Sequence, residues 1–142
     1  MLRLSRSAPG AARSRRGASA IEFALTASAL FVFLFGIMDW GWFFFRRSEF
    51  MDAVLDATRR AVTLSQTGSP TPVSAAQTYA RDNLVAYGLD AAALTITASY
   101  SGTSPSRVLV VSASMPYTPL IGLWPAPDTI NAQMSMYLEL QQ

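Results

Sequence analysis

The chain has 142 residues, with 11 basic and nine acidic side chains, a net charge of +2, and neither His nor Cys. That length suits one domain with extensions, and the missing residue types exclude thiol nucleophiles, disulfide scaffolds, Cys/His zinc sites and imidazole acid–base chemistry. Apolar residues make up 51% and charged residues only 14%, against about 25% charged in soluble domains, so part of the chain is expected to lie out of water.

Charge is the first feature along the chain. Arg3, Arg6, Arg13, Arg15 and Arg16 lie in residues 1–17 with no acid among them, while the rest holds six Arg against nine acids. A basic tail on an acidic body reads first as a topology signal. The apolar segment that follows accounts for it fully, so no nucleic-acid partner is expected.

From Phe23 to Phe45 there are 23 residues and one charge, Asp39. As a helix this spans about 33 Å, close to the hydrocarbon thickness of a bilayer. Its twelve Leu, Ile, Val and Phe favour insertion by about 4–7 kcal/mol together. Asp39 costs about 3 kcal/mol at the bilayer centre, but it sits near the end of the segment, where it is expected to reach the interface. Insertion wins. Trp40, Trp42 and Phe43–Phe45 beside Arg46 and Arg47 read as an aromatic belt at the far interface. A buried core helix is the alternative, but the roughly 95 residues after Arg47 are too few to wrap it. The Arg bias places the N-terminus in the cytoplasm and the bulk outside. Ordinary signal-peptide cleavage is not expected, because bulky aromatics and charges follow the apolar core. Glu22, at the N-terminal edge of the run, has two readings. A carboxylate in a membrane helix is functional by default, or it only caps the first turn, where the helix dipole favours an anion.

Phe50, Val54, Ala57, Ala61 and Leu64 recur at steps of four and three, one face of an amphipathic helix. With no Pro or Gly from Arg46 to Thr67, the membrane helix is expected to continue to about residue 66. Gly36 and Gly41 lie inside it, where they bend it, allow close packing or are simply tolerated. Residues 68–72 form a loop. Thr71 as N-cap, Pro72 at N1 and Gly88 beyond the end predict a second helix over 72–87. Alternation predicts strands over 94–100, 107–115 and 130–140. Two helices and then three strands predict an α+β fold, with a small three-stranded antiparallel sheet laid on the outer half of the long helix. Between the last two strands, Leu120, Ile121, Leu123 and Trp124 form either a candidate partner patch or a fold-back over the core. Neither a phosphate loop nor a metal cluster nor a nucleophile–base pair stands out. No catalytic, cofactor or metal site is expected.

At the start of the apolar run the residues RRGASAIEFAL resemble a type IV prepilin signal, in which a membrane peptidase cuts after Gly and the fifth mature residue is Glu. The resemblance is tighter to TadE-like minor pseudopilins of the Flp/Tad (tight adherence) pilus. It extends through LFGIMDWGWFFF, DAVLDATRRAV, the loop MPYTPLIGLWP and the final INAQMSMYLEL. It implies a basic prepilin leader over 1–17, cleavage between Gly17 and Ala18, a long helix over 18–66 and an extracytoplasmic head over 67–142. Glu22, with Phe23 beside it, would serve assembly, pairing with the Ala18 amine of a neighbouring subunit. The implied partners are a prepilin peptidase, other pilin-like subunits, an inner-membrane assembly platform and membrane lipid, in adhesion or secretion. The alternative is an uncleaved single-pass protein with a periplasmic binding module. A major pilin is a weaker third reading, because major Flp pilins resemble only the first half of the chain.

Overall fold

A computed structural model of the chain describes residues 10–104 and 106–139, with side chains from Gly17 onward. Arg3, Arg6 and Leu140, and the side chains of Arg13, Arg15 and Arg16, lie outside the described residues. Helix α1 runs from Gly10 to Ala61, 52 residues without a break, or about 78 Å. It starts before the expected Ala18 and stops short of residue 66. The early stop has a hydrogen-bonding cause. Leu64 N takes the Ala61 carbonyl in a tighter turn, and the Val62 carbonyl accepts Glu139 N at 3.2 Å. The chain after Ala61 is thereby committed to the C-terminal segment.

Helix α2 spans Pro72–Ala86, with Thr71 as N-cap accepting from Ser74 N. Gly88, at φ +78°, ends it, as Gly88 N and Leu89 N reach back to the Val85 and Leu84 carbonyls. A positive φ suits Gly at this position. Strands β1 (Thr95–Ser101), β2 (Val108–Pro116) and β3 (Thr129–Tyr137) form one antiparallel sheet in the order β1-β2-β3. The fold is α+β. β3 ends before residue 140, because Leu138 N and Glu139 N bond the Arg107 and Val62 carbonyls.

Strand alternation decides what faces the helices. Leu109, Val111 and Ala113 of β2 pair with Tyr100, Ala98 and Ile96 on one side and with Met136, Met134 and Ala132 on the other. This apolar face joins Phe50, Val54 and Ala61 of α1 and Ala75, Ala76 and Leu84 of α2 in one core. The opposite face is mostly polar: Thr95, Thr97 and Ser99 of β1, with Asn131, Gln133 and Ser135 of β3, flank Val108, Val110, Ser112 and Ser114 of β2. Asn83 ties the helices together, its Nδ2 donating to the Ala53 carbonyl at 3.3 Å and to Asp56 Oδ2 at 3.0 Å. The core therefore starts at Phe43 on α1. Before that point the helix stands clear of the head on most of its surface; Ile21, Phe23, Phe33 and Ile37 are all exposed.

Leu109 is fully buried on the central strand, so Leu109→Ala should destabilise the head by about 2–5 kcal/mol. Ser99→Ala, on the exposed face of β1, should change stability by less than about 0.5 kcal/mol. Urea unfolding of the detergent-solubilised protein, followed by near-UV circular dichroism, checks this. Equal effects from the two substitutions would contradict the assigned strand register.

Candidate functional site

Two regions of α1 carry the residues of interest. The first surrounds Glu22. Gly17, Glu22 and Phe23 are exposed, and nothing lies within 4 Å of where a Cβ on Gly17 would stand. One turn on, Thr26 Oγ1 donates to the Glu22 carbonyl at 2.9 Å and Ser28 Oγ to the Ala24 carbonyl at 2.7 Å. Both hydroxyls are thus satisfied within the helix, as an apolar solvent requires. Because α1 begins at Gly10 and has no acid in its first turn, Glu22 lies about three turns inside the helix. A dipole cap acts only within the first turn, so that reading fits Glu22 only in a helix starting near Ala18.

The second region is where helix meets head. Asp39 is 0% exposed. Its Oδ1 accepts Ile121 N at 2.7 Å and its Oδ2 accepts Gly122 N at 2.9 Å. The loop makes both amides available by turning at Gly122, whose φ of +76° is a conformation Gly adopts without Cβ strain. Tyr117, at the start of the loop, donates its hydroxyl to the Asp39 carbonyl at 3.4 Å and packs edge-on against Phe43, with ring centroids 5.2 Å apart. Burial first, then the Asp39 carboxylate, raise the Tyr117 pKa above its ordinary value. Further down the helix, Trp124 Nε1 donates to the Val32 carbonyl at 3.1 Å. The indole lies on Gly36, where a Cβ would stand 2.8 Å from Trp124 Nε1. Gly36 is thus a close-packing site; a Cβ on Gly41 would meet open space.

Asp39 turns inward beneath the loop, where two backbone amides take the place of water. The 116–129 loop does fold back, but onto α1 between Val32 and Asp39, below the head core. Leu120 and Leu123 remain 57% and 58% exposed. Trp40, Trp42 and Arg46 cluster at the same junction. Trp40 meets Phe43 and Phe44. The Arg46 guanidinium lies 4.6 Å from the Trp42 ring centroid, bonds Glu49 at 3.0 Å and reaches the Tyr87 carbonyl at 3.4 Å. Arg47 is exposed. Gly17, Glu22 and Phe23 take no part in this cluster. Of the readings open for Gly36, close packing holds; Tyr117 and Gly122 are site residues that the sequence did not single out. The available signal was a Gly–Asp pair at i, i+3 on one helix face, and its partner lies more than 80 positions away, at Ile121 and Gly122.

Asp39→Ala should strip two half-buried N–H groups of their charged acceptor, a loss of about 1.5–3 kcal/mol for a hydrogen bond to a charged group. Chymotrypsin should then cut after Leu120 or Leu123 at least roughly tenfold faster, since 1.4 kcal/mol is already a factor of ten. Gly36→Ala, which displaces only the indole, should accelerate cutting less. Limited proteolysis of the detergent-solubilised chain measures this, and an unchanged rate for Asp39→Ala would show that the loop is held by something else.

No curated protein and no solved structure matches the chain. Residues 17–59 match the family model described as TadE-like protein. The matched stretch begins at Gly17, includes Glu22, Phe23 and Asp39, and ends within α1, before the second helix and the sheet. Over that stretch the chain is similar to TadE-like proteins, and the second helix and the sheet lie outside the match.

Proposed function

We propose that the chain is a minor pseudopilin, a structural subunit and not an enzyme. A prepilin peptidase cuts it between Gly17 and Ala18, and it then takes part in assembling a Tad-type pilus used for adhesion or secretion. In this reading α1 crosses the bacterial inner membrane with its N-terminus in the cytoplasm, and the head projects outward. Its partners are the peptidase, other pilin-like subunits and the inner-membrane assembly platform. The observation that carries the reading is the position of Glu22 within the TadE-like stretch. It lies five residues beyond Gly17 on an exposed apolar helix, and among the described residues no group bonds its carboxylate. A buried charge needs a partner. Cleavage after Gly17 creates one, the α-amine of Ala18, which a neighbouring subunit presents as helices pack and exclude water. The same cut makes Glu22 the fifth residue of the mature chain.

A second reading, an uncleaved single-pass protein whose head is a periplasmic binding module, is favoured by one feature: α1 passes through Gly17 without interruption.

Glu22→Gln separates a dipole cap from an assembly contact. The variant should insert with wild-type topology and be cut at Gly17 nearly as well, because the change lies beyond the cut. It should then fail to co-purify with the other pilin-like subunits. An unpaired ammonium in an apolar interface costs about 3–5 kcal/mol, over a hundredfold in association. Glu22→Asp should fall between. Normal recovery of partners by the processed Glu22→Gln protein, in crosslinking from membranes, would reduce Glu22 to a cap.

A further inference from the structure

We propose that the loop from Tyr117 to Pro125 is a second lipid-contacting element, inserted into the outer-leaflet surface of the bilayer beside α1 and clipped there by Asp39. The inference rests on α1 being a membrane span. Its first support is depth. The head core begins at Phe43, yet Trp124 bonds the Val32 carbonyl, eleven residues earlier, or about 16 Å down the helix axis. The loop therefore hangs below the head, along the part of α1 that is otherwise exposed.

The second support is chemistry. From Pro116 to Pro127 there is no charged residue, and Leu120, Ile121, Leu123 and Trp124 are exposed apolar side chains. On one side of the loop, Phe33, Ile37, Trp40 and Trp124 line a shallow groove. On the other, Met38, Trp42, Phe45 and Leu120 line a second. Both grooves are apolar and continuous with the exposed flank of the span, which is the chemistry of an acyl chain. Irregular backbone is tolerated in lipid only where protein satisfies its polar groups. Two of the loop's amides, those of Ile121 and Gly122, go to Asp39, and two of its residues, Pro119 and Pro125, have no amide hydrogen to satisfy. Asp39 in turn enters an apolar environment with both oxygens occupied.

The third support is length. Gly17–Met38 has one charged residue, Glu22, in 22 residues, about 32 Å of helix and a full hydrocarbon thickness. With this span, shifted toward the N-terminus from residues 23–45, the Trp124 indole over Gly36 lies within about 9 Å of the outer edge at Met38. That is the depth of interfacial apolar elements, about 5–10 Å. Trp40, Phe44 and Phe45 then stand at headgroup level, where aromatic side chains concentrate.

The chain has no Cys, so one introduced Cys carries one nitroxide label. Full-length Leu123→Cys, Phe33→Cys and Ser101→Cys proteins in vesicles of phosphatidylethanolamine and phosphatidylglycerol are compared by collision with oxygen, which partitions into lipid, and with a water-soluble nickel chelate. We expect the label at residue 123 to favour oxygen several-fold, as at residue 33, and the label at residue 101, the exposed end of β1, to favour nickel. Nickel preference at 123 with oxygen preference at 33 would overturn the lipid contact and leave the membrane span standing. Nickel preference at 33 would overturn the span and the loop insertion together. Shielding of 123 from both reagents would mean a protein occupant, a second copy or a partner, and would also overturn the inference. Adding Asp39→Ala to Leu123→Cys should shift the label toward nickel. An unmoved label would overturn the clip.

Discussion

The two backbone amides that Ile121 and Gly122 give to the Asp39 carboxylate join a helix suited to lipid with a head suited to water. Asp39 is fully buried, and hydrogen bonds to a charged group contribute about 1.5–3 kcal/mol each, so these two offset much of the cost of holding its carboxylate out of water. The arrangement also fixes the approach of the loop. With Asp39 as anchor, Tyr117 meets Phe43 and Trp124 lies on Gly36, so contacts over two turns of α1 follow from one side chain.

The helix bears a second constraint, because its two parts differ in polarity without a break between them. Its early part presents apolar side chains on nearly every face, whereas from Phe43 onward only one face is buried, against α2 and the sheet. The change of pattern falls at Asp39 and the aromatic cluster. In that light Arg46 is more than a flanking charge. It stacks on Trp42, pairs with Glu49 and reaches the C-terminal end of α2, so the belt at the junction is also part of the head's footing.

Much of this fold was legible in the sequence. Period-two alternation located all three strands to within a few residues, because the sheet has one apolar and one polar face. The α2 boundaries followed from Thr71, Pro72 and Gly88, each acting within its own turn. What could not be read was long-range. The end of α1 at Ala61 depends on the Val62 carbonyl receiving Glu139. The inward turn of Asp39 depends on a loop whose apolar residues fitted either a partner patch or a fold-back. Local pattern shows that a carboxylate sits in an unfavourable place. It does not show which distant amides relieve it. The family match covers 17–59, the part of the TadE-like resemblance carried by contiguous residues of the long helix; the segments quoted from the loop and the final strand lie outside it.

Glu22 and Asp39 are the two acids of the apolar region, and they differ in one respect. Asp39 is satisfied within the chain, whereas Glu22 faces outward on an exposed helix, as befits a group whose partner belongs to another molecule. In the pseudopilin account that partner exists only once the leader is removed and Ala18 becomes a free α-amine. The most direct test is the N-terminal sequence of the mature protein extracted from membranes of cells that assemble the pilus. The account predicts a chain beginning at Ala18; a membrane-resident chain still beginning at Met1 would contradict it.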